Sequence, residues 1–564
     1  MSTGVSPGTA DRYRQPMATL ELGPLLRYVG ETEAVIWVET NEPCEVTVLE
    51  TTEPTFCVGG HHYGLLIVDG LEPGETYEYE VALDGERRWP LEDSELPPSA
   101  IRTLGGDKPL HLNFGSCRVS LPHHPPFTLP KDDDSDAREF DALSTLTKEM
   151  QARPRDQWPQ ALVLLGDQVY ADEVSLETLA FIRKRRDTRQ PPGEEVADFE
   201  EYTRLYQESW SDPAIRWLYS TVSCSMVVDD HDVNDDWNIS EAWVEEMRQT
   251  DWWAERECAG IASYWLYQFI GNLSPELLRE SELLRKVREA DDGWETLREF
   301  AANDRGVRDG ARWSYCRDLN RTRLIMIDSR CGRVLEEGSR SMLDEAEWEW
   351  LEQHLEGDFD HLLIGTSDPF LLAPGLHHLE RWGEALCGGA WGDRAAEAGE
   401  KLRRALDFDH WAAFGESYER LAKLLENAGA GRYGSAPASI TVLSGDVHHA
   451  YLAEIAFKRS AGVESAVWQA VCSPFRNALD EKERKVIDAG ASRGGALVGR
   501  ALSRLAGVKP DPIRWRLVEG PYYDNQVASL QIEGRKATLR LHRTVGDPEA
   551  DDRELHTSFE RELA

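Results

Sequence analysis

Residues 161–170, ALVLLGDQVY, carry the decisive reading of the fold. Five apolar residues run without a break into Gly166 and Asp167, and a tyrosine follows at Tyr170. A short, uniformly apolar run of this kind reads as a strand buried on both faces. Runs of the same make recur along the chain: HLNFGSC (111–117), SMVVDDHD (225–232), RLIMIDSR (323–330), HLLIGTS (361–367) and ITVLSGDVHH (440–449). Helical patterns lie between them. In one, Trp411, Phe414, Tyr418, Leu421 and Leu425 share a helix face that stops near Gly429. Buried strands alternating with amphipathic helices predict an α/β layered core.

The segment before that core follows another rule. AVIWVET (34–40) and TYEYEVAL (76–83) alternate as strands, and the second ends in the turn pair Asp84-Gly85. LEPGETYEYEV (71–81) has the look of the turn and strand of a fibronectin-type or immunoglobulin-like sandwich. The expected organisation is a loose polar stretch over residues 1–17, an all-β sandwich over 18–104, and the α/β core with helical insertions over 105–564. A Gly-Gly-Asp-Lys-Pro linker (105–109) joins the last two. NQVASLQIEGRKATLRLHRTV (525–545) reads as an outer β-hairpin. KDDDSD (131–136) reads as a solvated loop.

Composition narrows the function classes. With 564 residues, 41% hydrophobic and 19 Trp, the chain has ample material for a packed core. A net charge of −40 argues against broad nucleic-acid binding or attachment to anionic membranes. No stretch approaches the roughly 20 apolar residues of a membrane span. The N-terminus has no apolar leader, and the nine cysteines include no CxxC pair. Those features together predict a cytoplasmic protein with reduced thiols.

Five strands end in residues able to bind metals: Gly115-Ser116-Cys117-Arg118, Gly166-Asp167-Gln168-Val169-Tyr170, Asp229-Asp230-His231-Asp232, Thr366-Ser367-Asp368 and Gly445-Asp446-Val447-His448-His449. Sites in open α/β sheets form at the carboxyl ends of strands, so these segments can meet at one spot. A single such Asp equally well caps a helix or closes a turn. The set, with its Cys, Tyr and His, is an unusual way to finish a core. Asp328-Ser329-Arg330 ends a further strand and reads as structural. The tryptophans 237, 243, 252, 253 and 265 read as core or pocket wall.

GSC, GDQVYAD, DDHD and GDVHH, in this order and spacing, resemble the PhoD-like (alkaline phosphatase D) branch of the calcineurin-like metallophosphoesterases over residues 110–455. The resemblance implies a core of two sheets flanked by helices and the hydrolysis of phosphate monoesters or diesters by a metal-activated hydroxide. It implies one metal at Cys117, Asp167, Tyr170 and His448, where thiolate and phenolate donors suit Fe(III). A second, at Asp230 and Asp446 with Asp167 bridging, suits Ca, or else Mn, Mg or Zn. Ser367 or Asp368 is a candidate to complete that second set. His231 is expected to act on the leaving oxygen, with Asp232 orienting it. Arg118 is an expected phosphate fork, and His377 and His378 are candidates to line the substrate pocket. The expected partner is a small phosphate ester, with neither nucleic acid nor membrane. The competing readings are a metallohydrolase acting on another bond, and a binding protein in which the β-sandwich does the work.

Overall fold

A computed structural model describes residues 17–106, 108–303, 312–548, 550 and 552–564. The segment expected to be loose, apart from Met17, lies outside the described residues, as does Asp107 of the linker.

Two sheets form the core. In the first, β1 (Leu110–Gly115), β2 (Ala161–Leu165) and β3 (Ser223–Val227) run parallel in the order β3-β2-β1. The sheet continues through three antiparallel strands, Gln526–Glu533, Lys536–Val545 and Glu554–Glu562. The first two of these are the expected hairpin, closing at Glu533 opposite Lys536. In the second sheet, β4 (Thr322–Ile327), β5 (His361–Thr366) and β6 (Ser439–Ser444) are parallel neighbours. Every residue of β2, β3, β5 and β6 is buried, which is why these strands show no polar alternation.

Register brings the strand exits level. Leu165 pairs with Val227 in one sheet, and Ile327 pairs with Thr366 in the other. The two sheets are bonded at their exits, where the Asp446 N–H donates to Ser116 Oγ at 3.0 Å. A Cβ at Gly445 would stand 2.1 Å from that same oxygen, so only glycine lets the sheets come this close.

The N-terminal region is all β, with one four-stranded sheet holding Leu20–Val29, Ala34–Thr40, His61–Val68 and Phe56–Val58, and a second holding strands between Glu45 and Trp89. It is fused to the α/β core rather than tethered beside it. Trp37 and Tyr63 share a continuous apolar cluster with Trp210 and Tyr267. The wholly buried Arg27 donates to the carbonyls of Tyr267 at 2.7 Å and Gln268 at 2.5 Å. Trp237, Trp243, Trp253 and Trp265 are buried, and Trp252 packs against them partly covered. Trp411 and Phe414 precede the helix they were expected to join, which spans Gly415–Gly429. Among the described residues no helix is long and apolar enough to cross a membrane.

A charged bridge reinforces the join. His61 lies between Glu39 (Nδ1–Oε1, 3.1 Å) and Glu200 of the core (Nε2–Oε2, 2.9 Å). Burial disfavours the imidazolium, but the two carboxylates outweigh it and lift His61 to about 9. Burial also pushes Glu39 up, whereas Glu200, more open to water, is pulled down by His61. A pKa raised on folding stabilises fully below the unfolded value of about 6.5, and that stabilisation is lost as pH rises through about 9. The urea midpoint of the protein is therefore expected to exceed that of His61→Gln most below pH ~6.5, with the gap closing by pH ~9. A gap that stays constant across this window contradicts the bridge.

Candidate active site

Donors from three strand ends meet after β1, β2 and β6. Cys117 Sγ, a carboxylate oxygen of Asp167 and a ring nitrogen of His448 all lie within 4.8 Å of one another. Tyr170 joins them, its hydroxyl 3.3 Å from Asp167 Oδ2 and 3.2 Å from the Asn477 amide. Asp167 stands equally close to Asp230 and His231, and Asp229, Asp368 and Asp446 make a third such group.

The backbone is bent to achieve this. Cys117, Asp167, Asp446 and His448 have φ of 58°, 48°, 65° and 50°. L-residues in that region cost on the order of 1–3 kcal/mol each and persist only where their surroundings hold them. Gly166, at φ +111°, abuts Asp229, whose Cβ a side chain there would meet at 2.6 Å. The glycine of GDQVY is thus required by the neighbouring strand exit.

The electrostatics call for cations. Burial pushes Asp167, Tyr170 and Cys117 well above their usual ranges; Asp230, Asp232 and Asp446 add to this for Asp167, Asp167 and Cys117 add to it for Tyr170, and Asp167 and Asp446 add to it for Cys117. Asp167 Oδ1 is buried with no partner among the described residues. Burial pushes His448 down to about 3, leaving it a neutral imidazole. Thiol, phenol, carboxylate and neutral imidazole facing one point, costly without a cation, are the donor chemistry of a transition-metal site. The first expected set therefore fits a metal.

The second set is partly compensated already. Arg330, 1% exposed, stands 2.6 Å from Asp229 Oδ1, 3.0 Å from Asp368 Oδ1, 3.5 Å from Asp230 Oδ1 and 3.7 Å from Asp446 Oδ1, and also pairs with Asp409. Arg333 takes the other Asp368 oxygen at 2.9 Å. Ser367 is engaged by Ser329 at 2.8 Å, while Asp368, though paired with both arginines, keeps a carboxylate oxygen in the group with Asp229 and Asp446. Asp230 and Asp446 remain beside Asp167. His410 Nε2 bonds Asp446 Oδ2 at 2.9 Å, and His410 Nδ1 bonds Glu380 at 2.6 Å. Burial opposes ionisation of Asp446, but His410 and Arg330 hold it below the usual carboxylate range.

Several expectations need correction. Asp232 does not orient His231. It accepts the backbone N–H groups of Gln168, Val169 and Asp229 at 3.0–3.2 Å and so holds the Asp167 turn. Asp172 orients the imidazole, its carboxylate 2.9 Å from His231 Nδ1. Arg118 is no phosphate fork: it is buried, bonds Asp141 Oδ2 at 2.8 Å and donates to the Ser209 carbonyl at 2.7 Å. The His377 ring is enclosed by Tyr418 and Trp515, and the nearly buried His378 faces Arg500 and Asp511. Neither ring is placed to line a pocket over the cluster. His449 bonds the Val447 carbonyl at 2.6 Å and caps its strand end.

The sequence reading passes over Asp172 and His410 and takes Arg330 as structural. Asp172 closes the GDQVYAD motif, and Arg330 ends a buried strand as the other site residues do. His410 left only a weak trace, an Asp-His pair ahead of a helix.

Residues 144–499 match the family described as PhoD-like phosphatase. The chain belongs to that family. PhoD-like phosphatases are phosphoester hydrolases, and so is this protein. Residues 17–101 match a domain of unknown function, DUF7800. A solved structure described as that of PhoD matches with a TM-score of 0.59 and 11% identity, over 98% of this chain and 91% of its own. At such identity the likeness shows the fold alone. A purple acid phosphatase, PPD1 from yellow lupin (Lupinus luteus) seeds, matches at a TM-score of 0.46 and 10% identity, over 95% of this chain and 73% of its own. No curated protein matches this chain. Within this PhoD-like core, breaking a buried charge cluster by removing one partner costs about 3–5 kcal/mol. Arg330→Ala is expected to lose about that much stability by urea denaturation; a variant as stable as the parent contradicts the compensating role.

Proposed function

We propose that the protein hydrolyses small phosphate esters at the Cys117–Asp167–His448 cluster with a pair of metal ions. The observation that carries this reading is the approach of three unlike donors, from three separate strand ends, to within 4.8 Å of one another. Cys117, Asp167, Tyr170 and His448 would hold the first ion, and their thiolate and phenolate character favours Fe(III). Asp230 and Asp446, with Asp167 shared, would hold a harder ion such as Ca. When bound, such a pair supplies Lewis acidity, which activates water and offsets charge on phosphoryl oxygens.

The chain's own residues do the rest. Asp172 grips His231 Nδ1 at 2.9 Å, which fixes the ring and leaves Nε2 for the substrate. From there His231 hands a proton to the leaving oxygen as the ester bond breaks. Tyr170 packs on the same ring at 4.7 Å and limits its rotation. Asp232 keeps the Asp167 turn in its strained form. Arg330 and His410 hold the shared carboxylates in place.

The test uses nitrophenyl phosphate and bis-nitrophenyl phosphate as substrates, with elemental analysis alongside. Turnover of one or both is expected, with loss on chelation and recovery on adding metal back. Asp172→Asn is expected to keep the metal content of the parent and to lower kcat at least about tenfold. Turnover that survives complete metal removal contradicts the proposal, and full activity in Asp172→Asn removes the His231–Asp172 pair from it.

A further inference from the structure

The helices α1 (Pro374–Cys387), α2 (Glu481–Ala491) and α3 (Arg493–Leu505) pack beside the second sheet. α3 rests on α1 through small residues. A Cβ at Gly499 would stand 2.7 Å from the Gly375 carbonyl, and Ser503 donates to the His378 carbonyl at 2.5 Å. The outward face of α3 is where the fold gives no reason for its residues. Leu497, Val498 and Leu505 are 71%, 58% and 72% exposed. Together with Ala501 they fall on one stripe, at spacings of one, four and eight residues. Trp391, also exposed, lengthens the stripe, its indole N–H 3.4 Å from the Leu505 carbonyl. A second stripe, Arg493, Arg500 and Arg504, runs along its edge.

Beside α3 opens a cleft of about 960 Å³ lined by Arg500, Arg504, Lys458, Arg459, Lys509 and Arg514, with Asp511 as its one carboxylate. All six cations are exposed, and none has an ion pair among the described residues. In a chain of net charge −40, where most arginines find a carboxylate, an unpaired basic cleft beside an uncovered apolar stripe is not a by-product of composition.

We propose that the outward face of α3 and the adjoining basic cleft form a docking surface for an anionic phospholipid bilayer. A helix edged by arginines along an apolar stripe suits the plane of a bilayer, the apolar side chains entering the acyl boundary and the guanidinium groups meeting lipid phosphates. A nucleic acid would use the cations but leave Leu497, Val498 and Leu505 in water. A second copy of the chain packed antiparallel on this face about a twofold axis would set one arginine stripe against the other. The acidity of the remaining surface does not oppose docking, because the Debye length is about 8 Å at physiological ionic strength. Carboxylates far from the contact are screened, while charges at the contact are not.

The test is co-sedimentation of the full chain with extruded vesicles, either of phosphatidylcholine alone or of phosphatidylcholine mixed with phosphatidylglycerol. At about 0.1 M salt, partitioning onto the mixed vesicles is expected to be at least about tenfold stronger. The double variants Leu497→Glu/Leu505→Glu and Arg500→Glu/Arg504→Glu are each expected to lose that binding. Both keep the parent's melting curve and its turnover of a soluble aryl phosphate, so loss of docking is read apart from loss of fold or of catalysis. Parent protein that stays in the supernatant with the mixed vesicles overturns the proposal. So does binding that both variants retain, or a solution dimer that Leu497→Glu/Leu505→Glu dissolves while vesicles are ignored.

Discussion

The guanidinium of Arg330 is ringed by carboxylates from four other parts of the chain. Asp229 lies 2.6 Å from it and Asp368 3.0 Å, Asp230 and Asp446 stand slightly further off, and Asp409 closes the ring. All are buried or nearly so. Charges taken out of water at this density repel one another strongly, and each carries a desolvation cost of several kcal/mol. One guanidinium does not balance them. His410, His231 and Arg333 add positive charge around the rim, and Asp167, with an unpartnered buried oxygen, is still left over. Bound cations would offset what remains, and so would protonation of the carboxylates that burial pushes upward, Asp167 and Asp229 among them.

The architecture is arranged to deliver those charges. Parallel strands bring their carboxyl ends level, and glycines at 166 and 445 let neighbouring exits touch. Left-handed turns at Cys117, Asp167, Asp446 and His448 then turn the side chains toward one another. Such turns persist only where the surroundings hold them, and Asp232 supplies that hold for the Asp167 turn. The N-terminal β region stiffens the same sheet from outside: Arg27 reaches the carbonyl of Cys224 in β3 at 3.4 Å.

What the sequence disclosed follows from what its signals measure. Unbroken apolar runs reported burial on both faces, so the strands and the layered core were legible. Their polar ends were legible too, because Cys, Tyr and His are poor choices for finishing a strand without purpose. Long-range pairing left no such mark. Arg118 adjoins Cys117 in sequence yet turns away to Asp141, whereas Arg330, some two hundred residues on, reaches the centre. Asp232 adjoins His231 but faces the backbone of another turn, and Asp172, sixty residues earlier, takes the ring. Proximity along the chain was a poor guide wherever a side chain had two directions to choose from. The exposed stripe on α3 carries no mark of its own, because an apolar stripe edged by arginines reads as an ordinary amphipathic helix whose apolar face is expected to be buried.

In the proposed site, sulfur, phenolate, carboxylate and imidazole would share one transition-metal ion. X-ray absorption at the iron edge of protein purified without chelators tests it most directly. The expected result is a first shell with one sulfur scatterer among nitrogen and oxygen neighbours, and loss of that sulfur in Cys117→Ser protein that still binds iron. A first shell of oxygen and nitrogen alone in the parent protein would contradict it.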